Sequence, residues 1–261
     1  MEKVILENKK IAIIGLGNMG QAIRDGILKN KLINKNQLLV SNKQLTNKLV
    51  VNQGDILIIA VKPQVIKIVL EEIKDVISKD KLIISIVAGV EIKSIEKFLC
   101  KKLKIIRVMP NLCAKVNQSV SCWIKNKNVN DKDIKIFKKI FQLIGTEIEL
   151  KNENLLDQVT AISGSGPAYF FYLTELMEKA AIKIGLDKKL AYELVTQTLV
   201  GSSEYLKKSK ESLKTLRQKV TSKGGTTEAA FNKIVDSEFE SVFLSAIKSA
   251  YKRAIQLHLK V

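Results

Sequence analysis

Residues Ile11 to Ile23 read IAIIGLGNMGQAI. Four apolar residues, three of them β-branched, run into glycines at 15, 17 and 20, after which the apolar spacing turns helical. A short continuous apolar run suits a strand buried on both faces, as in a parallel sheet. Gly15, Leu16, Gly17, Asn18, Met19 and Gly20 then form a G-x-G-x-x-G turn. Such a turn is weak evidence by itself, since glycines also make tight turns that bind nothing. Its place after a strand and before a helix lets backbone N–H groups and the helix dipole meet a pyrophosphate, which is the context of a dinucleotide site.

The pattern repeats outward from there. Apolar β-branched runs at Leu38–Val40, Ile56–Val61, Leu82–Val87, Ile105–Val108 and Ser119–Ile124 alternate with helical stretches, which predicts a parallel sheet with helices on both faces. After Lys151 the strand signals stop. Helical patterns follow at Pro167–Ile184, Lys188–Leu206, Thr226–Val235 and Glu238–Leu259, with Gly185 suited to a helix end and Asp187 to the next cap. The predicted class is α/β: a Rossmann-type parallel-sheet domain over 1–152, then an all-helical domain over 153–261. PAYFFYLTELMEKAAIKIG, from Pro167, is apolar around most of its circumference and so calls for burial within the helical domain or against a second copy.

Composition excludes much. With 261 residues, 46% of them hydrophobic, the chain can bury a sizeable core. The formal charge of +18 comes from scattered lysines, and Arg24, Arg107, Arg217 and Arg253 are the only arginines. Arginine is the residue that grips bases and phosphates bidentately, so nucleic acid is not the expected partner, although a basic surface draws in small anions. Cys100, Cys113 and Cys122 form neither a CxxC nor an even set, which points to a reducing cytoplasm and no zinc site. MEKVILENKK lacks the marks of a signal peptide, no apolar run reaches the ~20 residues that span a bilayer, and the expectation is a soluble, cytoplasmic protein without membrane partners. His258 is the only histidine and stands three residues from the carboxyl end, where fraying is expected. Triads, Cys/His pairs and His-bearing metal sites are thereby disfavoured, and no metal is expected. A substrate or cofactor must bring the reactivity.

The second strand helps to choose that cofactor. It ends in Ser41, Asn42 and Lys43 rather than in the acidic residue that holds an NAD ribose. Hydroxyl, amide and ammonium groups suit a 2′-phosphate, so NADP(H) is preferred and NAD(H) is the lesser option. AVKPQ (Ala60, Val61, Lys62, Pro63, Gln64) and SIVAGV (with Ala88 and Gly89) lie at the carboxyl ends of later strands, where the ligand crevice of such sheets opens.

Taken in order, GLGNMG, SNK, AVKPQ, SIVAGV, RVMPN (Arg107–Asn111), AISGSGPAYFF (Ala161–Phe171) and VTSKGGTTEAAF (Val220–Phe231) resemble pyrroline-5-carboxylate reductase over nearly the whole chain. SGSGPAY and the GGTT segment are the most family-specific pieces. The resemblance implies an NAD(P)H-dependent reduction of a cyclic imine to proline and a helical domain that interlocks with its twin in a homodimer, sometimes within larger rings. It also implies that Ser222 and the backbone of Gly224, Gly225 and Thr226 hold the substrate carboxylate, that Thr227 lies near the ring nitrogen, and that Asn47 contacts a ribose. Read without the family, Val220–Thr227 is equally a Gly-Gly turn with a threonine cap.

The sequence also departs from the family. Between Lys43 and Asn47 the chain is short, as if a helix and a strand were trimmed. Leu112, Cys113, Asn117 and Ser119 stand where Thr, Pro and glycines are usual, and Lys223 replaces the proline of the substrate loop. Two alternatives stay open at this point: another NADP-dependent imine or hydroxy-acid reductase of the same architecture, and a non-catalytic NADP-binding redox sensor.

Overall fold

The computed structural model describes residues 6–42 and 44–258. The chain runs β1 (Ile11–Ile14), α1 (Asn18–Lys29), β2 (Leu38–Val40), α2 (Asn47–Gln53), β3 (Ile56–Ile59), α3 (Ile66–Ile73), β4 (Leu82–Ser85), α4 (Ile92–Leu99) and β5 (Lys104–Met109). It continues through β6 (Ser119–Lys125), α5 (Asp131–Phe141), β7 (Gly145–Glu149) and α6 (Leu155–Val159), then widens into one π turn over Thr160–Gly164. Five helices end it: α7 (Gly166–Lys183), α8 (Lys188–Lys208), α9 (Leu213–Lys219), α10 (Thr226–Val235) and α11 (Phe239–Gln256).

The seven strands form one sheet in the order β2-β1-β3-β4-β5-β6-β7. Side chains alternate between its faces. Ile11, Ile13, Ile56, Ile58, Leu82 and Ile84 meet Ile23 and Ile27 of α1 and Phe137 and Phe141 of α5. Ala12, Ile14, Leu57, Ile59 and Ile83 meet Val50, Val69, Leu70, Ile95 and Leu99 from α2, α3 and α4 on the other face. Cover on both faces is the reason the inner strands read as unbroken apolar runs.

The sheet is not wholly parallel. β6 runs antiparallel to β5 and parallel to β7, one reversal in an otherwise parallel Rossmann-type sheet. Only residues 110–118 join β5 to β6, fewer than the dozen or so that a parallel crossover needs. β7 carries no sequence signal because GTEIE is polar and half exposed, a pattern that an edge strand can afford. At the other edge β2 is outermost, and α2 alone fills the span from there to β3.

The described residues of Met1–Pro167 and Ser249–Val261 form one compact unit, and Ala168–Lys248 form a second. In the second unit Asp187 caps α8 through the Leu190 N–H at 3.0 Å, and Gly185 ends α7 with φ +106°. Tyr169 packs edge-on against Phe243, which stacks on Phe239. α9 is capped by Ser212 and was not visible in the sequence, since its seven residues are too few to show a period. The apolar circumference of α7 is not buried within the chain: Phe170 is 59% exposed and Phe171 58%. Of the two ways to cover it, the chain itself does not supply the first.

Candidate functional site: a glycine-lined rim and a glycine-headed helix

The register aligns Ile14 with Ile59, Ile59 with Ser85 and Ser85 with Arg107. The loops leaving β1, β3 and β4 therefore open on one rim, and GLGNMG, AVKPQ and SIVAGV come together as the sequence predicts. Gly15 sits at φ +97°, where a Cβ would lie 2.6 Å from the Ala60 carbonyl oxygen, so only glycine lets the β1 and β3 loops touch. Gly17 is different. Its missing side chain faces open space, and it heads α1 without a side-chain cap and with no acidic residue in the first turn. That leaves the first N–H groups of α1 aimed outward with the positive end of its dipole, a fit for a pyrophosphate.

Lys115 adds a cation at this place. Its Nζ donates to Asn18 Oδ1 at 2.8 Å, from the short helical turn that follows RVMPN. The sequence offered no signal for it, because one lysine among many says nothing until the fold carries it to the glycine turn. Asn117, in place of the usual glycine, takes φ +59° and ends that turn, a conformation asparagine tolerates. Asn111 is buried and joins the two motifs around it: Nδ2 donates to the Ser163 carbonyl at 3.1 Å, while Oδ1 accepts from the Cys113 N–H.

At the end of β2, the Ser41 N–H donates to the Ile13 carbonyl, which places Ser41 beside the glycine turn. The Asn42 side chain holds its own turn, accepting from the N–H groups of Gln44 and Leu45 at 2.8 Å each. Lys43 lies outside the described residues. Asn47 opens α2, and its amide donates to Glu72 Oε2 of α3 at 2.6 Å. Lys62 is exposed beyond β3, with Pro63 starting the following turn. Among the described residues no group of His, Cys, Asp and Glu is placed to hold a metal ion. The three cysteines are free, and burial pushes the Cys122 thiol up.

His258 corrects the expectation of a frayed end. Its Nε2 lies 3.0 and 2.9 Å from the two carboxylate oxygens of Asp157, and its Nδ1 lies 3.3 Å from Glu91 Oε1. Nearby, Glu153 accepts from buried Arg107 at 2.8 Å and from the Ile92 N–H at 2.9 Å.

The second unit holds the GGTT segment. α10 begins at Thr226 with Gly225 as its cap residue and no side-chain capping bond, so neither Thr226 nor Thr227 acts as a threonine cap. Gly224 takes φ +73° and its N–H donates to Glu228 Oε2 at 2.7 Å, while the Gly225 N–H returns to the Ser222 carbonyl. Within the helix the first internal bond runs from the Ala229 N–H to the Gly225 carbonyl, so the N–H groups of Thr226 and Thr227 point out of the helix end. Ser222 Oγ is folded over Gly225, within 2.6 Å of where a Cβ would stand. Ser222 and Lys223 are exposed.

Comparison with known proteins agrees with this geometry. The family model described as pyrroline-5-carboxylate reductase dimerisation matches residues 153–257, and the one described as NADP oxidoreductase, coenzyme F420-dependent, matches residues 10–89. The chain is 35% identical to pyrroline-5-carboxylate reductase 2 of Bacillus subtilis over 95% of each chain. It is 34% identical to the Methanosarcina acetivorans pyrroline-5-carboxylate reductase over 98% of this chain and all of that one. Its fold matches the crystal structure of Plasmodium falciparum pyrroline carboxylate reductase with NADP bound at a TM-score of 0.89, with 34% identity and coverage of 97% and 99%.

Proposed function

The chain belongs to the pyrroline-5-carboxylate reductase family, and from that premise we propose how its residues carry the NADPH-dependent reduction of pyrroline-5-carboxylate to proline. When bound, NADPH supplies a hydride to the imine carbon, and the protonated nitrogen becomes the ring amine. No strong enzyme acid is needed, because a cyclic imine takes a proton readily from water. This agrees with a chain whose one imidazole is engaged by Asp157.

The observation that carries the assignment is a pair of helices headed by glycine and left without side-chain caps, α1 and α10. The first turn of α1, with Lys115, holds the pyrophosphate; Ser41, Asn42 and Lys43 take the 2′-phosphate; and the strand-end residues Ala60 to Pro63, Ala88 and Gly89 line the rest of the cofactor. Asn47 reaches the ribose on release from Glu72. At α10, Ser222 Oγ and the Thr226 N–H bind the substrate carboxylate, with the Gly224 N–H joining when Glu228 turns away. Thr227 bonds the ring nitrogen. Assay of proline formation from pyrroline-5-carboxylate with NADPH tests the whole reading; absence of turnover in folded protein overturns it.

Cofactor choice has its own test. Lys43→Asp is expected to weaken NADPH by about 1.5–3 kcal/mol, the worth of one charge-assisted contact, while leaving NADH nearly unchanged. Parallel kinetics with both cofactors read this out, and equal efficiency in the parent protein counts against a 2′-phosphate site.

The helical unit forms homo-oligomers in this family, and the finer assignment is an obligate homodimer. The open apolar side chains of α7 and α8, among them Phe171, Met177, Tyr192 and Leu194, support it. Interfaces of this kind bury upwards of about 2,000 Å². Sedimentation at low micromolar concentration is expected to show no folded monomer.

A further inference from the structure

His258 and the residue before it sit against the loop that leaves β4. Gly89 takes φ +72°, and a Cβ there would lie 2.2 Å from the Leu257 carbonyl oxygen. The carboxyl-terminal strand of chain thus lies flush on the loop, a fit that a side chain at 89 would prevent. One residue on, His258 spans two elements: Asp157 of α6 through Nε2, and Glu91, the cap position of α4, through Nδ1. Asp157 is nearly buried, with 8% of its side chain exposed, against 32% for the imidazole. Just behind, Glu153 ties Arg107 to the Ile92 N–H, so the start of α4 is gripped from two sides. In the last turn of α11, just before His258, Arg253 turns to Gln256 and leaves the imidazole to the two acids.

We propose that Leu257 and His258 form a strap that fixes the Ala88–Glu91 loop for the cofactor, with His258 a positioning residue whose charge sets how firmly the strap holds. The proposal rests on the reading that this loop lies along the nicotinamide cofactor. Facing carboxylates with both nitrogens, the ring makes both contacts in full only when both nitrogens carry a proton. Neutral imidazole keeps one donor, which Asp157 takes, and the pull on Glu91 lapses. The loop then keeps its packing against Leu257 and the Glu153 bond to the Ile92 N–H, and loses the hold on Glu91. Cofactor affinity is accordingly linked to the state of a group that touches no part of the cofactor.

The test measures NADPH dissociation constants by fluorescence titration of the whole protein at about pH 6 and at about pH 8. His258→Gln keeps a donor for Asp157 but carries no charge. Relative to the parent it is expected to weaken NADPH by roughly three- to tenfold near pH 6 and to differ little near pH 8. The ratio cancels any titration of the cofactor's own phosphate. Glu91→Gln, which leaves the Asp157 contact intact, is expected to shift affinity the same way with a smaller ratio, and it serves if His258→Gln folds poorly. Ala88→Leu crowds the loop directly and is expected to weaken NADPH at every pH. If Ala88→Leu weakens binding while both other ratios stay at one throughout, the strap is only structural and the proposal fails. If Ala88→Leu binds NADPH as the parent does, the loop is not at the cofactor and the reading beneath the proposal fails with it.

Discussion

Thr227→Ala is expected to lower kcat/KM for pyrroline-5-carboxylate by roughly 10- to 150-fold while NADPH affinity stays at the parent value, since a hydrogen bond to a charged group is worth about 1.5–3 kcal/mol. The loss should fall mainly on kcat. The ring nitrogen passes from iminium to amine as hydride arrives, so a bond to it differs between ground and transition states. Ser222→Ala should lose a similar factor through KM, because the carboxylate keeps its charge throughout and is held alike in both. Structure sharpens the contrast with a merely structural loop. A threonine cap, if lost, costs about 1 kcal/mol of stability and little activity per molecule. Here Gly225 holds the cap position and Thr227 is already inside the helix, so no capping bond is there to lose. Steady-state kinetics beside thermal melts decide it: unchanged kinetics with a lowered melting temperature would reduce the loop to scaffold.

Two glycines in one turn should behave in opposite ways. Gly17→Ala introduces a methyl group into open space and is expected to leave the melting temperature nearly unchanged while weakening NADPH. Gly15→Ala forces an alanine to φ +97° and against the Ala60 carbonyl, which strains the backbone by about 1–3 kcal/mol before any clash is counted. It should lower the melting temperature where the strain is held, and lower NADPH affinity to the extent that the turn relaxes in the free protein and must be restored on binding, by up to roughly 150-fold if all of it relaxes. Fluorescence titration and melts of the two variants separate a turn that holds a ligand from one that only reverses the chain. NADPH binding by Gly17→Ala equal to the parent's would remove the pyrophosphate from the end of α1.

How far the sequence reveals this molecule depends on the physical signal in each part. β1, β3 and β4 are legible because burial on both faces demands unbroken apolar runs, and the helix Thr226–Val235 because its period is clear. The glycine turn is legible because its chemistry is local. β7 is not, since an exposed edge tolerates polar residues, and the reversal of β6 shows only when the length of the loop before it is weighed. Lys115 and His258 escape for a different reason. Each gains its role from a neighbour far along the chain, Asn18 for one and Asp157 for the other, and no spacing encodes such meetings. The bond from the Gly224 N–H to Glu228 escapes the sequence too, since it depends on the helix turn that brings back a residue only four positions away.

The two rims of the sheet carry a consequence for how copies of this chain meet. An outermost strand ordinarily presents a row of backbone donors and acceptors, a template on which strangers can add strands. Here one outermost strand, β2, has three residues and so offers only a short template. The opposite rim, β7, alternates glutamates, and Glu147 is drawn to Trp123 Nε1 at 2.7 Å and to Lys138 at 3.4 Å. Charged side chains along an edge discourage the pairing of a further strand there. A short strand at one edge and a charged one at the other leave little template for added strands, and the proposed two-fold contact through the helices would use up its own surface and stop growth there.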